Sequence, residues 1–142
     1  MRALCLLLVL GGCGALVHRP DGSRRLTADE AELLERVDAE WRATELDDRG
    51  RCGAVYVLEV PLDEAMRRCL QRNRVGASCY LAPHRQRPYV VLSHGHPKPR
   101  HALVHEFVHY REDCWLGRSD WTHSRAVLWG AGGVNLRAQE GL

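Results

Sequence analysis

Behind Thr27-Ala28-Asp29-Glu30, a capping-box pattern, the apolar residues Leu33, Leu34, Val37 and Trp41 recur at helical spacing and predict an amphipathic helix over residues 28–45. Asp47-Asp48-Arg49-Gly50 ends it. Ala54 to Val60 is rich in β-branched and aromatic residues and stops at Pro61, which reads as a buried strand; Asp63 then caps a short helix to Leu70. Two further strands, Ala77 to Ala82 and Pro88 to Ser93, flank the polar loop 83–87 and predict a hairpin. From Arg100 to Cys114 the pattern turns helical, with Leu103, Val104, Phe107 and Val108 on a wide apolar face and Gly117 as the stop. A short helix is expected at Ala126 to Trp129, and the Gly-rich tail Ala131 to Leu142 is expected to be loosely held. There is no internal repeat. The fold class expected is α+β: a short sheet and hairpin packed on the 100–114 helix and on the N-terminal amphipathic helix.

The first residues follow another logic. Met1 and Arg2 lead into the apolar run Ala3 to Leu10 and then small residues, the layout of a secretory signal. Leu10-Gly11-Gly12-Cys13 resembles the bacterial lipobox, which implies cleavage after residue 12, lipidation of Cys13 and anchoring to a bilayer in the cell envelope. The segment from Gly14 to Leu26 has no clear periodicity and carries Pro20 and Asp21-Gly22. Residues 13–26 therefore read as a tether and 27–142 as the folded domain.

With 142 residues and net charge +2, the chain fits one domain and is too apolar for disorder. No run reaches the roughly 18 apolar residues of a spanning helix. The 20 basic residues are scattered and all but Lys98 are arginine, so nucleic acid is not an expected partner. Apart from Cys5 in the signal and Cys13, an even set remains: Cys52, Cys69, Cys79 and Cys114. In an exported chain without a C-x-x-C pair these read as two disulfides. Of the three possible pairings, Cys52 with Cys69 and Cys79 with Cys114 is favoured, on the idea that a strand and a returning helix bring the first two together.

The chemistry concentrates in His105-Glu106-Phe107-Val108-His109. Two histidines four apart on a helix project from one face about 5 to 6 Å apart, close enough for both to ligate one ion. Zinc is the expected metal, and the adjacent Glu106 is expected to act as general base and acid for water attack on a carbonyl. On these residues, with a hairpin ahead of the helix, the stretch from Ala77 to His123 resembles the zincin metalloproteases. Glu112 and Trp115 stand where the metzincin branch has Gly and His, and no Met follows for a Met-turn. Neither Glu112 nor Glu140 has the setting of a thermolysin-like third ligand.

The third ligand is expected from Asp120-Trp121-Thr122-His123, brought back by a reversal at Gly117. His123 is favoured, with Asp120 orienting an imidazole; Asp120 as the ligand itself is the alternative. His94, His96 and His101 read as surface, and Tyr80 and Tyr110 as core or rim aromatics rather than oxyanion donors. Two functions follow as expectations. One is a lipid-anchored zinc metallopeptidase acting on a peptide or protein along the hairpin edge. The other is a non-catalytic envelope binding lipoprotein stapled by metal and disulfides.

Overall fold

The computed structural model describes residues 18–46, 52–70, 77–83 and 86–142. In it Thr27 Oγ1 accepts the Glu30 N–H at 3.3 Å while Glu30 Oε2 accepts the Thr27 N–H at 2.7 Å. That exchange satisfies two donors at a helix start, and α1 runs Ala28–Arg42. It ends short of residue 45 because Thr44 folds back and donates both its N–H and its hydroxyl to the Trp41 carbonyl.

Four short strands form one sheet: β1 (Arg24–Arg25), β2 (Tyr56–Val60), β3 (Ser78–Leu81) and β4 (Tyr89–Ser93), ordered β1-β2-β4-β3. The expected hairpin is β3 with β4, antiparallel from Ser78↔Leu92 to Leu81↔Tyr89. β2 pairs with β4 in parallel, so the chain must cross over between them, and α2 (Leu62–Leu70) begins that crossing directly after Pro61. Because side chains alternate along a strand, the sheet has two buried faces. Val57, Tyr80, Val90 and Leu92 face the larger core with Leu33, Val37, Trp41, Val104 and Phe107; Tyr56, Leu58, Cys79, Leu81 and Val91 face α2. Each buried Val or Leu stabilises the fold by about 1.5–3 kcal/mol.

The central helix α3 spans Pro99–Leu116, and Gly117 closes it in the left-handed region at φ 72°, a conformation open to glycine at little cost. Asp38 on α1 receives a two-pronged ion pair from Arg111 on α3 at 2.6 Å for each bond, and Trp41 meets Trp115 edge to face at 5.1 Å. The expected short helix is α4 (Ala126–Trp129).

Three expectations need correction. The tail is not loose: α5 (Val134–Gln139) buries Val134 and Ala138 against α1 and α3, and Arg137 pairs with Glu40 at 2.6 Å. Its entry turn admits only glycine at 133, where a Cβ would lie 2.8 Å from the Leu128 carbonyl group. The tether reading also gives way at its end. Ser23 is buried and Arg24–Arg25 pair antiparallel with β2, so the fold begins before residue 27.

The cysteine pairing is the third. The disulfides are Cys52–Cys114 and Cys69–Cys79. Cys69 packs under the face of the sheet covered by α2, where Cys79 also points, whereas Cys52 packs on the opposite core. The returning helix crosses toward β3 instead of back to the start of β2, so the sheet separates Cys52 from Cys69. The expected signal at 1–12 and the expected lipidation of Cys13 fall outside the described residues. Among the described residues no helix is long and apolar enough to cross a membrane.

Candidate metal centre

His105 and His109 stand one turn apart on α3 with ring centroids 5.0 Å apart. After Gly117 the chain reverses and brings His123 over the same turn, with its ring centroid 4.9 Å from that of His105. The Nε2 atoms of His109 and His123 are 3.1 Å apart, and one ring nitrogen from each of the three lies within 4.8 Å of the others. At Zn–N bonds of ~2.0 Å, tetrahedral geometry sets nitrogens roughly 3.3 Å apart; the His109–His123 pair is already near that spacing, and the group as a whole must close by up to about 1.5 Å to hold a zinc-sized ion. Burial, with positive charge on His109 and His123 as lesser causes, pushes the His105 imidazole down to about 3. Near neutral pH it therefore stays in the unprotonated form that ligation needs.

His123 itself adopts φ 55°, the one described non-glycine residue with positive φ. A left-handed histidine costs free energy unless its surroundings fix it, and Asp120 does so. Asp120 Oδ1 accepts from the Thr122 N–H and hydroxyl, Oδ2 from the Ser124 hydroxyl and the Arg125 N–H, and its carbonyl accepts the His123 N–H. Hydrogen bonds from the Thr122 and Ser124 side chains hold its carboxyl well below the usual carboxylate range. Asp120 is thus spent on its own loop, neither joining the histidines nor orienting an imidazole as the sequence reading had it.

The carboxylate beside a ligand ring is Glu112, considered from sequence only as a ligand. It is fully buried, its Oε2 3.9 Å from His109 Nδ1, and the same oxygen accepts the Asp120 N–H at 2.7 Å. Arg125 Nη1 lies 3.2 Å from its other oxygen. Burial raises the Glu112 carboxyl, opposed by the Asp120 N–H and by Arg125. Two tryptophans escaped the sequence reading as well. Trp121 stacks on His109 at 4.2 Å, and Trp129 lies 4.3 to 5.0 Å from all three imidazoles. Their signal was their density, two indoles within six residues of His123.

Glu106 is buried and turned toward the edge strand. Its Oε1 accepts the Ser78 hydroxyl at 2.9 Å and its Oε2 the Tyr80 N–H at 2.8 Å. Of the aromatics weighed from sequence, Tyr110 donates to the Gly53 carbonyl and Tyr80 donates to Asp113 at 2.9 Å, and both rings are buried in the larger core. His94 is exposed and His96 and His101 are half-buried, and none joins the histidine group. In comparisons with known proteins, no family model, no curated protein and no solved structure matches the chain.

Proposed function

We propose that this protein is a zinc-dependent peptide hydrolase, with His105, His109 and His123 as ligands and Glu106 as the proton carrier. The observation that carries the reading is the convergence of three imidazole nitrogens within 4.8 Å, contributed by α3 and the loop that follows it. Zinc bound there supplies Lewis acidity, polarising the scissile carbonyl and acidifying water. Glu106 takes a proton from the attacking water as its oxygen bonds to the carbonyl carbon, and returns that proton to the nitrogen as the C–N bond breaks. Ser78 and the Tyr80 N–H hold the carboxylate against β3, the edge strand beside which a peptide substrate lies. Trp121 and Trp129 pack against the rings and help fix their planes.

We further propose that the chain acts in the bacterial cell envelope, anchored through Cys13. The two disulfides are consistent with export.

A second reading, a metal-stapled binding module without catalysis, draws on the same bonds from Ser78 and Tyr80, since they give Glu106 a purely architectural task. The full chain, its Glu106→Gln variant and its His123→Ala variant separate the two when zinc content and cleavage of mixed fluorogenic peptides are measured together. Zinc in wild type and Glu106→Gln, its loss in His123→Ala, and cleavage by wild type alone support the hydrolase. Zinc without cleavage of any peptide leaves the binding module.

A further inference from the structure

Asp113 continues the row of His105 and His109 by one more turn of α3, about 6 Å along the helix from His109. Its carboxylate borders a cleft of about 220 Å³, walled by Tyr80, Leu81 and Pro83 on the β3 side and by Trp121 on the other. This cleft adjoins the histidines, because the Trp121 ring that walls it also stacks on His109 at 4.2 Å. The Tyr80 and Trp121 rings are near parallel, 16° apart in plane with centroids at 6.2 Å.

Asp113 receives one hydrogen bond among the described residues, from the Tyr80 hydroxyl to Oδ2 at 2.9 Å. That bond fixes the carboxylate plane and leaves Oδ1 open to a donor from the cleft. The other carboxylates near the site are committed: Glu112 to Asp120 and Arg125, Asp120 to its loop, Glu106 to β3. Among the described residues, Asp113 is the carboxylate near the site that lines a cleft with no ion pair to a protein cation.

We propose that this cleft is a specificity subsite for a basic side chain, lysine or arginine, next to the bond that is cleaved. A peptide lying along β3 with its scissile carbonyl at the histidines sends a neighbouring side chain toward Asp113. A lysine or arginine stem spans the same ~6 Å as the helix turn between His109 and Asp113. The aliphatic stem rests against the half-buried Trp121 indole, which also attracts the cation, and the charged head meets Oδ1. A short apolar side chain brings no cation to Asp113, and an acidic one is repelled.

The inference rests on the hydrolase reading for the position of the scissile bond, so its test uses both cleavage and binding. Three peptides, identical except for lysine, norleucine or glutamate at the position beside the cleaved bond, are given to the zinc-loaded full chain and to Asp113→Asn. Wild type is expected to cleave the lysine peptide about tenfold faster than the norleucine peptide in kcat/KM, with glutamate slowest. In Asp113→Asn the lysine-to-norleucine ratio falls to near one. Equal cleavage of the two by wild type, or a ratio that survives in Asp113→Asn, overturns the proposal. Titration of the same peptides into zinc-loaded Glu106→Gln reads the subsite without turnover. Lysine-selective binding lost on adding Asp113→Asn, with no peptide cleaved by wild type, sinks the hydrolase and keeps the subsite. No selective binding and no cleavage sinks both.

Discussion

Glu112 accepts the backbone N–H of Asp120 at 2.7 Å, a bond that helps fasten the helix bearing His105 and His109 to the loop bearing His123. The same oxygen lies 3.9 Å from His109 Nδ1, which makes Glu112 the carboxylate placed to support that ring behind a bound metal. Replacing such outer partners typically costs 10–100-fold in metal affinity. Glu112→Ala is therefore expected to weaken zinc about that much in chelator competition, while Glu112→Gln, which keeps an oxygen for Asp120, loses less. Equal zinc affinity in all three proteins would refute the coupling.

His105 sets a pH dependence of stability whose sign follows from its burial. Its folded value, about 3, lies below the ordinary 6.5, so in acid the unfolded chain binds the proton that the folded chain refuses. This contribution is fully present above 6.5 and is lost as pH falls toward 3, at up to about 1.4 kcal/mol per pH unit. The Glu112 carboxyl, raised by burial, acts in the opposite sense as pH rises through and above 4.5. Comparing zinc-free wild type with His105→Gln isolates the histidine. The stability difference between them, by urea unfolding, should fall steadily between pH 6.5 and 4, and a constant difference would count against a buried neutral imidazole.

The disulfides differ in what they constrain. Cys52–Cys114 closes a loop across 62 residues and Cys69–Cys79 one across 10. Chain-entropy arguments assign about 4 kcal/mol to the first and about 3 kcal/mol to the second. Cys52→Ala with Cys114→Ala is thus expected to lower the urea midpoint more than Cys69→Ala with Cys79→Ala. The reverse order would show that the α2–β3 clamp carries strain relief or core packing beyond loop closure.

That pairing also marks where sequence reasoning stopped. Periodicity located α1, β2, α2, the hairpin and α3 within a few residues, because each is a local pattern of side chains seeking one buried face. Pairing depends on which face of the sheet a helix crosses, and nothing local in Leu62–Leu70 records that α2 passes over β4 toward β3. The tail failed for a related reason. Val134 and Ala138 are too few to announce a helix, and their burial is supplied by α1 and α3. In the site, spacing carried His105 and His109, and a reversal at Gly117 led to His123. Glu112 was misjudged because its role comes from the returning loop, which gives its carboxylate a backbone N–H eight residues away.

Ser78 tests whether the edge strand serves the chemistry or only the fold. Its hydroxyl donates to Glu106 Oε1 at 2.9 Å, one of the two bonds by which β3 aims that carboxylate. Ser78 belongs to no ligand group, so Ser78→Ala should leave zinc content unchanged. Loss of one hydrogen bond to a charged acceptor costs about 1.5–3 kcal/mol of stability. If Glu106 moves the proton, its freed carboxylate samples more orientations and kcat falls, by about tenfold for a misaligned base, with KM nearly constant. Ser78→Thr restores the donor and should recover most of the rate. A variant that loses stability while kcat per folded molecule stays at the wild-type value would assign the Ser78–Glu106 bond to architecture alone, and with it favour the binding module over the hydrolase.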